Sequence, residues 1–447
     1  MTLGALLKVT SPDWDEQRRS SAGQAMRRLN GSPERLRSLL MTTTRHKWAF
    51  TARFRSRAYG WRGTGLATKR LKEAVTEIRE VARTDPVLAA EGAVALMERL
   101  WPALQDIDTS SGALGNAVNR TLEQLIPMLV SAPADRIPRT KWLERVFVAM
   151  QADGVQYLSP VEDRWGEICV FPELVDEWAE RLLPLVRAAW SDHGRFRFVT
   201  GDHACLSSLL ELGRYRELND LLSLRSSPFW PTDRFGAEAL ARQGLTDAAI
   251  AYAEARRNND YDDTRVTEFC ERVLLDAGRR EEAYRQYGVY AAHTNTYLGV
   301  FRATVRRYPE LDPRQVLIDL IEARGEQGKW FAAAKSAGFL DVALDCARLG
   351  TTEPATLLRA ARDFVKSEPR FSAQIALQAI SDLLAGKGYE PTTLDLSQAC
   401  DHFFAASARC GDEESAEDTL RCVLHEAVAG VSDPIMCEAM HRRLGGF

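Results

Sequence analysis

Cys422 and His425 stand three residues apart, Cys437 and His441 four apart. Each pair would share one face of a helix, and together they make up the Cys2His2 set that suits tetrahedral zinc. A structural reading competes with this one. Free cysteine is among the most buried residue types, and no loop-borne Cys-x-x-Cys knuckle is present. His203, two residues before Cys205, has the residue types of a Cys/His nucleophile pair, with the same structural alternative. Gly60-Trp61-Arg62-Gly63-Thr64-Gly65 has the glycine spacing of a phosphate loop. Leu66 and Ala67 stand where a lysine and a hydroxyl are required, so nothing would reach a terminal phosphate or magnesium. Gly-x-Ser-x-Gly, His-Glu-x-x-His and dinucleotide fingerprints do not occur. The expectation is a chain that is not an enzyme, with no catalytic residues and no cofactor, and with Cys422, His425, Cys437 and His441 as its metal candidates.

Binding chemistry is better represented. Between residues 45 and 72, Arg45, Lys47, Arg53, Arg55, Arg57 and Arg62 alternate with Trp48, Phe50, Phe54, Tyr59 and Trp61. Cations neutralise phosphates and release counterions, and aromatic faces such as Trp48 and Trp61 stack on unpaired bases. This pattern fits a nucleic-acid contact with single-stranded RNA or DNA. The alternative places the aromatics in a core and the arginines on a solvated face or against acidic residues. Residues 1–72 carry 16 Lys/Arg and 4 Asp/Glu, which leaves 42 and 58 for the remainder, so a net charge of −4 conceals a basic front and an acidic body.

These side chains must be positioned by helices. Leu71, Val75 and Ile78 fall on one helical face within 66–82, and Val87, Ala90, Val94, Met97 and Trp101 on another that starts at Asp85-Pro86. Gly92 inside the second helix costs about 1 kcal/mol against alanine. Further helices are expected at 33–41, 114–130, 139–152, from Pro172 through Val186, and at 354–366, 372–384, 395–409, 414–428 and 434–443. No run alternates with period two for long enough to make a strand, which points to an all-α protein. Trp165, Trp178, Trp230 and Trp330 would be core on such helices, or partner anchors on an exposed face. The eight scattered cysteines, the lack of a leader pattern and the lack of a 20-residue apolar run suggest reduced thiols, a cytoplasmic location and no membrane partner.

Between Leu206 and Ala347 one corner recurs: an apolar helix end, a glycine, a few polar residues, then a helix rich in alanine. Its glycines are Gly213, Gly244, Gly278 and Gly338, separated by 31, 34 and 60 residues, the last close to two periods. Glycine at a helix C-terminus enters the left-handed region without steric cost. A period of about 34 residues resembles the tetratricopeptide repeat, in a diverged form whose usual Trp and Tyr positions are unfilled. The Gly328-Lys329-Trp330-Phe331-Ala332-Ala333-Ala334-Lys335 stretch, taken with the corners, Asp85-Pro86 and the 108–112 turn, also looks like uncharacterised bacterial helical-repeat proteins. The resemblance implies an α-solenoid of stacked helical hairpins with a concave face that holds a protein or peptide partner. Arg214, Tyr215, Tyr252, Arg256, Tyr284 and Tyr287 are the groove candidates. The expected organisation is a basic segment (1–65), an N-terminal helical region (66–200), the repeats (201–385) and a helical cap (386–447). Its expected role is a non-enzymatic scaffold. The alternative is a nucleic-acid-binding subunit, within a bacterial defence or regulatory complex.

Overall fold

The computed structural model describes residues 46–191, 199–225, 227–257, 260–349, 352–430 and 432–445. The expected helix at 33–41 and the contact residue Arg45 lie outside them. The described residues contain helices and loops and no strand, and the chain divides into two compact units, residues 1–174 and 175–447.

The first unit contains α1 (Phe50–Arg53), α2 (Thr64–Ala82), α3 (Pro86–Leu104), α4 (Ala113–Ser131), α5 (Arg136–Ala152), α6 (Ser159–Glu162) and α7 (Trp165–Cys169). Asp85 caps α3 by accepting a hydrogen bond from the Leu88 amide at 2.9 Å. Leu71, Val75, Ile78, Ala90, Val94 and Met97 are buried as their spacing requires. Helix α2 packs on α3 and α4, and α3 also packs on α5. Gly92 has a physical reason to be in α3. A Cβ there would sit 2.3 Å from the Trp48 indole, so the glycine that weakens the helix is what admits the ring.

Arg139 of α5 is the unit's most unusual core residue, 1% exposed. Its guanidinium donates to the carbonyls of Leu129 (2.8 Å), Ala132 (2.8 Å) and Ile168 (2.9 Å). These oxygens close the C-terminal ends of α4 and α7, where helices leave carbonyls unpaired and favour positive charge. On the exposed side of α5, Arg145 binds Glu98 through two nitrogens at 2.8 and 2.7 Å and also binds Glu91.

Helix α8 (Pro172–Trp190) leads the chain into the second unit, which continues with α9 (Asp202–Glu211), α10 (Tyr215–Leu222), α11 (Trp230–Arg242), α12 (Thr246–Glu254) and α13 (Asp260–Asp276). Next come α14 (Arg280–Ala283), a π-helical turn (Tyr284–Gly288), α15 (Val289–Ala291), α16 (Tyr297–Arg307), α17 (Pro313–Arg324), α18 (Gln327–Ala337) and α19 (Leu340–Leu349). The unit ends with α20 (Pro354–Phe364), α21 (Pro369–Leu384), α22 (Thr393–Cys410), α23 (Glu413–Ala429) and α24 (Pro434–Arg443). Each helix packs on those next to it or a few places along the chain. That serial pattern is the mark of a solenoid. The chain is an all-α helical-repeat protein.

The corners share one hydrogen-bond pattern. At Gly213 (φ 67°) its amide reaches the Leu210 carbonyl and that of Arg214 reaches Leu209. The same pair of bonds, three and five residues back, closes Gly244, Gly278 and Gly338. It recurs at Gly386 and Gly411, two corners absent from the sequence expectation. This is the Schellman closure, which requires a left-handed residue after the helix.

From Trp230 onward, the buried apolar residues of the second unit gather in two clusters. One gathers residues from Trp230 to Tyr287, the other from Tyr284 to Leu444. The π-helical turn lies where they meet. In an α-helix, residues three apart share a face; the wider turn sends Tyr284 into one cluster and Tyr287 into the other.

Candidate functional site

Of the six groove candidates, Arg214 follows the first corner glycine. Its Nε and Nη2 each donate to Glu217 at 2.7 Å, while Nη1 reaches Glu180 (2.7 Å) and Asp176 (3.2 Å) on α8. These bonds raise its pKa and lower that of Glu217. Arg279 repeats the arrangement two corners on. It holds Glu282 through two nitrogens at 2.8 and 2.7 Å and Asp247 through the third at 2.5 Å. This clasp was not anticipated, yet its signal is in the chain as Gly-Arg-x-x-Glu at both 213–217 and 278–282.

Tyr215 is half-buried at the start of α10. Tyr252 and Arg256 come together, the guanidinium carbon 3.2 Å from the ring centre. Arg256 also donates to the Tyr252 carbonyl at 3.0 Å and lies 3.6 Å from the buried Asp233 carboxylate. Burial raises the Tyr252 phenol pKa. Its hydroxyl occupies space that only a glycine at 236 leaves open, 2.6 Å from where a Cβ would be. Tyr284 and Tyr287 are core residues. Tyr284 donates to Asp319 at 2.6 Å, and burial pushes up both phenols. The surface-accessible candidates are therefore Arg214, Tyr215, Tyr252 and Arg256.

In the basic segment, Trp48, Phe50, Phe54 and Tyr59 are buried, and Trp61 is 67% exposed. The ring faces expected to stack on bases are thus inside, Trp61 excepted. Segment 48–54 docks on one flank of α2. Glu77 accepts the amides of Ala49 (2.5 Å) and Phe50 (3.1 Å), and Glu73 holds Arg53 (2.5 Å) and Arg70 (2.6 Å). Lys47, Arg53, Arg55, Arg57 and Arg62 are exposed, with Arg57 3.8 Å from Asp106.

The Cys/His set does not converge. Cys437 is buried, whereas Cys422, His425 and His441 are exposed. Among the described residues no group of three or more His, Cys, Asp or Glu side chains is placed to hold a metal ion. His203 Nε2 lies 2.9 Å from Thr232 Oγ1. Burial pushes the Cys205 thiol up to about 12, so it stays protonated. Trp165, Trp178, Trp230 and Trp330 are all core. No described helix is long and apolar enough to cross a membrane.

No protein-family model matches the chain, and no curated protein matches it. Among solved structures it is similar to a "Circular tandem repeat protein with novel repeat topology and enhanced subunit contact surfaces". The two are 14% identical, over 84% of this chain and 85% of that one, with a TM-score of 0.14. The fold assignment therefore rests on the corners and the serial packing described above.

Large apolar side chains do reach solvent in the second unit. Tyr389 (84% exposed), Leu349 (80%), Ile435 and Leu394 are prominent among them. The loop bearing Tyr389 is tied to the start of α20, and the start of α24 is tied to the end of α21. The Tyr389 amide donates to Glu353 at 2.7 Å, and the Asp433 amide donates to the Leu384 carbonyl at 2.8 Å. None of these residues was singled out in the sequence, because isolated apolar residues near helix ends read as core.

Proposed function

We propose that this protein is a non-enzymatic scaffold of the tetratricopeptide-like kind, which holds a protein or peptide partner on its second unit. The serial stack of hairpins carries the reading. Such stacks present long surfaces whose rigidity comes from neighbour-to-neighbour packing rather than from a ligand. The exposed Tyr389, Leu349, Leu394 and Ile435 add apolar anchors of the type that dominate interface energies once desolvated. Arg214, Tyr215, Tyr252 and Arg256 would supply polar contacts on the earlier corners. A nucleic-acid role for the basic segment keeps its exposed cations but has only Trp61 as a described, exposed ring for stacking.

Cross-linking and affinity capture from the native host, with wild type beside a Tyr389→Ser/Leu349→Ser variant, test the reading. A protein cross-linked to the second unit, retained by wild type and lost by the variant, is the expected result. Identical capture by both, or no cross-linked protein, would overturn the placement of the contact.

A further inference from the structure

An open groove of about 210 Å³ runs between α2 and α4 in the first unit. Leu71, Val75 and Ala117 form its apolar floor. Its rim carries Lys72 and Arg79 from α2 and Arg120 from α4, and no carboxylate lines it. Lys72, Thr76 and Arg79 recur at i, i+4 and i+7, so they share one face of α2. The two cations on that face stand about 10 Å apart along the helix at 1.5 Å per residue.

The charge of this groove is not accidental to helix composition. Helix α2 has three carboxylates of its own; Glu73 and Glu77 are engaged on the other flank, by Arg53 and Arg70 and by the amides of residues 49 and 50, and Glu80 does not line the groove. On the groove side, Arg79 Nη2 donates to Gln124 Oε1 at 2.7 Å, and Gln124 Nε2 donates to the Arg120 carbonyl at 2.6 Å. That chain of bonds fixes one guanidinium across the two helices and leaves other donors of Arg79 unused. Lys72 and Arg120 have no side-chain hydrogen bond or ion pair among the described residues. Elsewhere in the molecule, cations such as Arg145, Arg214 and Arg279 are each held by at least two carboxylates. Three cations over an apolar floor, with no carboxylate among the lining residues, form a site for a multiply charged anion.

We propose that the α2/α4 groove binds a phosphate-bearing ligand with more than one phosphate group. The separation of the cations favours several phosphates over a single one, and the exposed rim leaves the groove open to a ligand from solution. Two sources share this chemistry, a small di- or triphosphate and a phosphodiester backbone. The inference is independent of the scaffold reading, which places its contact on the second unit.

Calorimetric titration of the full chain at low ionic strength tests it, with tripolyphosphate and a single-stranded oligothymidine as probes. The variants are Lys72→Gln/Arg120→Gln and, as a control, Arg83→Gln at the exposed end of α2. Both groove residues are solvent-exposed, so the double variant is expected to fold, which circular dichroism checks. The expected result is binding that weakens roughly tenfold or more in the double variant and is unchanged in the control, with the salt slope reduced by about one for each cation removed. Tripolyphosphate binding without oligonucleotide binding supports the small-molecule source; oligonucleotide binding that tripolyphosphate competes only weakly supports the backbone. Absence of binding by both probes, or equal loss in the Arg83 control, overturns the proposal.

Discussion

The two units solve the same problem, how to join helix ends, in opposite ways. In the first, one buried cation with no carboxylate partner gathers three carbonyls from two helix termini. In the second, each glycine corner closes its own carbonyls with backbone amides, and half-buried arginines at two of the corners add clasps to neighbouring acids. The first solution is unique to its site and depends on residues far apart in sequence. The second is local and can be repeated. The difference explains why only the second region shows a period, and it predicts that single substitutions should cost most where the joint is least local.

Arg139→Met gives the largest expected loss. It keeps much of the volume but leaves the buried carbonyls of Leu129 and Ile168 without a donor, while that of Ala132 keeps the Ala134 amide; at about 1–3 kcal/mol each, the total expected from urea unfolding is roughly 3–5 kcal/mol. A cost no greater than that of an arginine clasp would collapse the contrast. Gly92→Val comes next, at about 2–3 kcal/mol, because the new side chain must displace the Trp48 indole. A shift in tryptophan emission should accompany it. Gly278→Ala is expected to cost roughly 1–2 kcal/mol through its left-handed backbone, and hydrogen exchange should rise at the amides of 278 and 279 while remote corners keep their protection.

Arg214→Ala is the smallest, no more than about 1 kcal/mol, since the acids it holds are solvent-exposed and such pairs contribute little. Its contribution should fade with added salt. It should also depend on pH with a definite sign. Arg214 holds Glu217 below the usual carboxylate range, so the stabilisation is present above the unfolded pKa and is lost as pH falls through the folded one. A wild-type advantage that persisted in strong acid would show that packing of the arginine stem, not charge, is what the corner uses.

The legible parts of the sequence were those whose cause is local. The buried faces of α2 and α3 followed from apolar spacing, and α24 was bounded at its observed ends by Pro434 and Arg443. Four corners were visible because a glycine follows an apolar helix end at nearly regular spacing. Gly386 and Gly411 use the same bonds but fall off that spacing, and so were missed. The role of Arg139 was unreadable, since its acceptors lie 7, 10 and 29 residues away. Tyrosines on repeat helices suggested a groove, yet a phenol enters a core once its hydroxyl finds a partner, as Tyr284 does with Asp319. The α2/α4 groove escaped notice because its cations come from segments about 50 residues apart in the chain. The pull of the basic run toward nucleic acid also depended on exposed rings, and docking on Glu73 and Glu77 buried most of them.

The Schellman corners have a consequence for how such a chain changes over generations. Each corner satisfies its own amides and carbonyls within six residues, so the joint remains chemically complete whichever hairpin follows it. Duplication or loss of a whole hairpin with its breakpoints at these glycines would leave no orphaned backbone at the seam, and only the side chains at the new neighbour contact would need to adapt.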